Sequence, residues 1–158
     1  MKKLIIFCIL SFIIYFMTIP EVSGQIIQIQ SIENKKNEIV ALTSNIYHES
    51  RGEPKLGKYM VGYVTINRVL SPKFPNTIYE VVVARKQFSW YNGRSCLIPE
   101  DLDIKQWKEC YEIAIDVLQN IAFDPTFGAL YFHTIDVNPK WAKEKKFIVQ
   151  VGNHKFYK

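Results

Sequence analysis

The segment Tyr47-His48-Glu49-Ser50-Arg51-Gly52-Glu53-Pro54 gathers two carboxylates, a histidine and an arginine within one short stretch. Ile39, Leu42 and Ile46, flanked by Val40 and Tyr47, recur at helical spacing from Asn37 onward, which places Glu49 in the last turn of a helix. Gly52 and Pro54 stop that helix, because a residue preceding proline avoids the α region. The C-terminal end of a helix carries partial negative charge, which disfavours an ionised carboxylate and raises its pKa. A carboxyl held protonated near neutral pH is what a general acid in glycoside cleavage requires. Arg51 opposes that shift if it pairs with Glu49. On position alone Glu49 also reads as an ordinary surface residue at a helix end, so other residues must decide.

Most glycosidases use two carboxylates, about 5–5.5 Å apart for retention and about 6.5–9.5 Å apart for inversion. Glu53 is the nearest partner, but it lies beyond the Gly52 break, where helical i,i+4 geometry does not hold. Three roles stay open for it: second carboxylate, ion-pair partner of Arg68, or shaper of the turn. His48, His133 and His154 raise a different chemistry, a zinc amidase with an open fourth position. No H-x-x-x-H pair or similar ligand spacing supports that reading, and the expectation is of no metal and no cofactor.

The elements that must position these groups follow from the same patterning. A second helix is expected over Lys55–Leu70, burying Leu56, Met60, Tyr63, Val64 and Asn67. Thr77 and Glu80 have capping-box spacing for a third helix through Ala84. Asp103 and Gln106 open a fourth, with Trp107, Cys110, Tyr111, Ala114, Leu118 and Ile121 down one side. After Asp124-Pro125, Ala129–His133 reads as a strand, and Phe147–Val151 and His154–Tyr157 as a hairpin turned by Gly152-Asn153. Helices followed by a small antiparallel sheet make an α+β domain. Gln87, Phe88 and Ser89 fall just past the third helix, where loops over a cleft are common. Tyr131 and His133 alternate onto one strand face. Trp90, Tyr91, Trp107 and Trp141 are candidate sugar-stacking rings, although Trp107 sits on a helix face that reads as core.

The 158-residue length suits one domain. Lys2 and Lys3 precede an apolar run from Leu4 to Ile19, and Val22-Ser23-Gly24 supplies the small residues of a cleavage site. This is the pattern of a secretory signal peptide cut after Gly24. An uncleaved anchor is the alternative, for which the run is short. Residues 25–36 read as a loosely docked arm and 37–158 as one domain. Beyond residue 24 the chain carries 18 basic and 14 acidic side chains, a mild excess compatible with an anionic polymer. No dense basic stripe interleaved with aromatics suggests nucleic acid. In an oxidising compartment the remaining pair, Cys96 and Cys110, reads as a disulfide.

The segment 47–54, then Gly57, Asn67-Arg68-Val69 and Ser71-Pro72-Lys73-Phe74-Pro75-Asn76-Thr77, resembles the catalytic-domain signature of the SleB/CwlJ-type, spore-cortex-lytic cell-wall hydrolases. The resemblance continues through Gln87-Phe88-Ser89, Asp124-Pro125-Thr126, Gly128-Ala129, Tyr131 and Gly152-Asn153-His154-Lys155-Phe156-Tyr157, in order, over roughly residues 39–158. It implies a lysozyme-like helical domain with a small C-terminal antiparallel sheet, acting on peptidoglycan between N-acetylmuramic acid and N-acetylglucosamine. The first glutamate of the E-x-R-G-E pattern, Glu49, is then the catalytic one. Glu49-Ser50 also resembles the Glu-Ser pair of lytic transglycosylases, in which one carboxyl serves as acid and then base. Ser50, Glu53, Gln87, Phe88, Ser89, Tyr131 and His133 become the expected substrate-binding residues. An exported monomer with peptidoglycan as its partner is expected, with no nucleic acid and no stable protein partner. A wall-binding module that has lost its chemistry is the non-enzymatic alternative.

Overall fold

The computed structural model describes the backbone of residues 2–91 and 97–158, with side chains described from Ile26 onward except Ala122. Residues 1–36 and 37–158 form two compact units. Helix α1 spans Lys2–Ser50. Of the expected signal segment, residues 1–24, the backbone is described as helical from Lys2 onward, and its side chains lie outside the described residues. Residues 26–36, within the expected arm, are helical and exposed. With no glycine or proline between Gln25 and Arg51, nothing interrupts backbone hydrogen bonding there, and Gln, Glu and Lys are good helix formers.

In the second unit α1 is followed by α2 (Lys55–Leu70), α3 (Ile78–Val83) and α4 (Ile104–Gln119). Short 3₁₀ turns at Ile121–Phe123 and Lys140–Glu144 link these to strands β1 (Tyr131–Thr134), β2 (Phe147–Val151) and β3 (His154–Tyr157). The sheet order is β1-β3-β2, antiparallel throughout, with Tyr131 opposite Tyr157 and Val151 opposite His154. The α+β reading therefore holds, as do the bounds expected for α2 and for the hairpin.

Helix α2 lies at the centre because it is buried nearly all round. One side packs Tyr63 and Ile66 against Ala41, Leu42, Ile46 and Tyr47 of α1, Val81 and Val82 of α3, and Ile113 and Val117 of α4. The other side packs Met60, Val61 and Val64 against Ala129 and Phe156 of β3. Gly62 permits the close approach: a Cβ there would meet Ile46 Cδ1 and Val117 Cγ2, each at 3.2 Å. Each fully buried aliphatic side chain contributes on the order of 1.5–3 kcal/mol.

Several polar groups inside this core are matched. Asn45 Nδ2 donates to Thr65 Oγ1 at 2.9 Å, and Trp90 Nε1 donates to Asn45 Oδ1 at 3.3 Å. Buried Lys58 pairs with Glu109 at 2.7 Å and donates to Gln106 at 3.0 Å. Asn67, at the edge of α2, holds the loop before β1 by donating to Asp124, Thr126 and the Ala129 carbonyl.

Helix starts obey the expected chemistry. Thr77 accepts from the Glu80 N–H at 3.2 Å, and Asp103 accepts from Gln106 at 3.1 Å. Glu38 of α1 adds a second cap to α3, accepting from Ile78 at 2.7 Å, a contact between distant segments that local spacing does not announce. Two expected faces differ. Leu56 is exposed in the first turn of α2, where it borders a surface groove with Tyr59 and Phe123. In α4 the buried line is Cys110, Ile113, Ala114 and Val117, and Tyr111 and Ile121 face out. The expected stripe followed the larger side chains, whereas the 3.6-residue period selects the smaller ones closest to α2. The expected Cys96–Cys110 disulfide depends on Cys96, which lies outside the described residues; Cys110 is buried.

The turn after α1 is tied to the far end of the chain. Glu53 Oε2 accepts from the Asn153 N–H at 2.8 Å and lies 3.9 Å from His154 Nδ1. It fits there because Gly152, at φ 56°, has no Cβ: one would meet Glu53 Oε2 at 2.0 Å and Pro54 Cδ at 2.8 Å. Gly152→Ala is expected to combine this clash with left-handed strain and destabilise the domain by roughly 2–4 kcal/mol. Urea denaturation of the variant checks it, and an unchanged midpoint would show that the hairpin does not depend on this fit.

Candidate active site

Glu49 comes to rest one residue before the end of α1, and Arg68 lies near the end of α2. A cleft of about 390 Å³ opens between them, lined by Glu49, Arg68, Lys86, Gln87, Phe88, Ser89 and Phe132. The segment 86–89, which follows α3, and the inner face of β1 close it. Among its described lining residues Glu49 is the single carboxyl.

The Glu49 carboxyl is pushed up to about 7. Burial is the main cause, since the charged form loses its water, and the nearby Arg68 charge pulls the other way without cancelling it. The expected shift is therefore present, but desolvation outweighs the helix end as its source. The opposing cation is Arg68, whereas Arg51 turns back along α1, with its guanidinium 5.4 Å from the Tyr47 ring centre.

Arg68 is a buried cation held by shape. Its Nε donates to the Leu130 carbonyl at 2.8 Å. The guanidinium lies 5.4 Å from the Phe74 ring centre and 5.1 Å from that of Phe88, a cation–π sandwich that offsets part of the desolvation cost. Its pKa falls to about 10, burial being the leading cause. Nη1 is buried without a hydrogen-bond partner among the described residues, so one strong donor is left unused beside the acid.

The expected site residues divide cleanly. Gln87, Phe88 and Ser89 line the cleft, with Phe88 buried and the other two exposed. Ser50 does not: it is 2 % exposed, and its hydroxyl is committed to the Ile46 carbonyl at 2.7 Å. Glu53 is occupied by the hairpin and forms no ion pair with Arg68 among the described residues, so its turn-shaping role is the one realised. Tyr131 and His133 are not among the residues that line the cleft, although Tyr131 packs against Phe74 and acts on the Arg68 charge. Tyr131 packs on Trp141 and under Lys145. His133 bonds the Tyr157 hydroxyl at 2.9 Å and the Thr134 carbonyl at 2.8 Å. Strand alternation instead turns Phe132 into the cleft, a change of face by one residue.

The three histidines make different contacts, although His133 is near enough to His154 to oppose its charge. His48 stacks on Trp90 at 4.2 Å, His133 bonds Tyr157, and His154 faces Glu53. No group of three or more metal-ligating side chains forms among the described residues. Trp107 packs against the core as its helix face implied. Arg68, Lys86 and Phe132 are the lining residues that spacing alone did not single out. Arg68 carried a signal, an arginine on an otherwise apolar helix face, but it was weighed only as a partner for Glu53.

Residues 52–157 match the family model described as Cell Wall Hydrolase. The chain belongs to this family. The matched stretch takes in every lining residue except Glu49, which stands just upstream of it. Among curated relatives, the spore cortex-lytic enzyme of Bacillus cereus is 34% identical over 125 residues, covering 78% of this chain and 45% of the relative. That of Bacillus subtilis (strain 168) is 29% identical over 122 residues, covering 76% and 37%. The chain thus spans less than half the length of these relatives. Two solved structures are similar over nearly their whole length. The catalytic domain of the Bacillus cereus SleB protein is 33% identical with a TM-score of 0.64, covering 78% of this chain and 91% of that one. The catalytic domain of the germination-specific lytic transglycosylase SleB from Bacillus anthracis is 31% identical with a TM-score of 0.62, covering 77% and 94%.

The raised Glu49 pKa has a consequence for stability. The folded family member holds its proton up to pH about 7, whereas an unfolded chain releases it near the ordinary value of 4.5. Stability from this group is therefore complete below pH 4.5 and is lost as pH rises through about 7. Relative to wild type, Glu49→Gln should gain up to about 3 kcal/mol between pH 4 and pH 8. Chemical denaturation at both pH values checks this, and a constant difference would mean Glu49 titrates normally.

Proposed function

We propose that the chain cleaves peptidoglycan glycan strands between N-acetylmuramic acid and N-acetylglucosamine as a lytic transglycosylase, with Glu49 as its catalytic residue. The observation that carries this reading is a single half-buried carboxyl, protonated up to near neutral pH, in a cleft with no second carboxylate among its described walls. The family match and the likeness to two SleB catalytic domains support the substrate class.

With one carboxyl, acid and base roles fall to the same group in turn. Glu49 gives its proton to the glycosidic oxygen, and the N-acetylglucosamine side leaves as an alcohol while positive charge develops at the muramic C1. The resulting carboxylate sits beside the Arg68 charge, which favours the anion. Glu49 then takes the proton of the muramic 6-hydroxyl as that oxygen bonds to C1. The product is a 1,6-anhydro sugar, no water is consumed, and the enzyme recovers its proton. Gln87 and Ser89 stand at the cleft wall as hydrogen-bonding groups for N-acetyl and hydroxyl substituents, and Phe132 and Phe88 supply its apolar surface. In this reading residues 1–24 direct export, and the enzyme works outside the cytoplasm.

Digestion of purified peptidoglycan, with products read by mass spectrometry, should yield fragments ending in 1,6-anhydromuramic acid. Glu49→Gln should lose at least about a hundredfold of that activity. Reducing-end saccharides would instead make water the nucleophile, and free stem peptides would replace the reading with an amidase. The rate should also fall with rising pH along a single ionisation near 7. Replacing Arg68 by Met should move that limb to higher pH, because the opposing charge is gone; an unmoved limb would assign it to another group.

A further inference from the structure

The charge of the cleft is one-sided. Arg68 and Lys86 bring two cations to its described walls, against the one carboxyl of Glu49. Glu53, the other acid of the 47–54 segment, is turned to the hairpin. Lys86 is exposed and takes φ 66°, in the left-handed region that costs an L-residue roughly 1–2 kcal/mol and favours glycine. A lysine is therefore held against backbone preference at a position that lines the cleft. On the same cleft, the Arg68 Nη1 has no hydrogen-bond partner among the described residues, and neither cation is in an ion pair with a carboxylate of the described residues.

A glycan of N-acetylated sugars is itself neutral. The anionic groups on a peptidoglycan strand lie on the lactyl arm of the muramic residue, either as the free lactyl carboxylate or as carboxylates of an attached stem peptide. We propose that Lys86, reinforced by the field of Arg68, is a specificity-determining residue that selects glycan strands bearing a carboxylate on the muramic substituent. The inference rests on the glycan-cleaving reading above. The Arg68 contribution acts through space, since Nη1 is enclosed, whereas Lys86 lines the cleft as an exposed residue. Strain at Lys86 is small enough for such a contact to offset.

The test uses four substrates: glycan strands with stem peptides and strands stripped of them, each before and after carbodiimide coupling to ammonia, which turns carboxylates into neutral amides. For the wild-type enzyme, amidation should lower kcat/KM about fivefold, mainly through KM, as expected for an exposed ion pair, and raised salt should narrow the gap. A loss on stripped strands assigns the lactyl carboxylate, and a loss confined to peptide-bearing strands assigns the stem peptide. Lys86→Gly, which relieves the backbone, should bring the discrimination ratio near one, and Lys86→Arg should keep it. Equal kcat/KM before and after amidation on both kinds of strand, or a Lys86→Gly enzyme that discriminates as wild type does, overturns the proposal. Co-sedimentation of Glu49→Gln with the same four substrates reads the preference without turnover. Selective binding without anhydro products would sink the transglycosylase reading alone, and anhydro products without selectivity would sink this one alone.

Discussion

A carboxyl group without enough water and a guanidinium without enough partners sit side by side, and the arrangement of the domain serves to hold them so. Removing Glu49 from solvent raises its affinity for a proton; setting Arg68 nearby keeps the rise moderate. Either alone gives a poorer catalyst. Burial without the cation leaves an acid reluctant to part with its proton, and the cation without burial leaves a carboxylate that has already lost it. The two effects leave the group near pH 7, where giving and retaking one proton are both accessible. Helix α2 makes this possible because it carries Arg68 through the core and delivers it to the end of α1.

The remaining architecture limits how far that pair can drift. Phe74 and Phe88 grip the guanidinium from two segments, and the Leu130 carbonyl fixes its Nε. Glu53 anchors the turn after α1 to the hairpin. Asn67 fastens the approach to β1, so that Phe132 reaches the cleft from the sheet. The acid is thus positioned by helix, turn and strand at once, which limits how far its carboxyl can move.

Much of this was legible in the sequence where the signal is local. The Gly52-Pro54 stop placed Glu49 at a helix end, the Thr77 and Asp103 caps fixed two helix starts, and Gly152-Asn153 fixed the hairpin. What was not legible depended on registration between distant segments. Tyr131 and His133 were expected in the cleft, yet a strand has two faces and only packing against α2 decides which is inside; Phe132 won because it stacks toward Phe156 and His154 in the core. Ser50 sat beside the acid in sequence but faces the helix interior, where its hydroxyl bonds the preceding turn. Arg68 escaped notice as a modulator of Glu49 because pairing across two helices leaves no spacing to read.

The central strand of the sheet is β3, contributed by residues 154–157, and the Glu53–Asn153 bond spans 100 residues. The end of α1 that carries Glu49 is therefore completed by segments synthesised long after it. A polypeptide threaded through a membrane with its amino end first would emerge with Glu49 already outside and still solvated, an ordinary carboxylate. Its unusual acidity would arise only once the final strand had followed and closed the sheet. Chain order is in this way written into the site: the surroundings of Glu49 are complete only after residues 154–157 have joined the sheet.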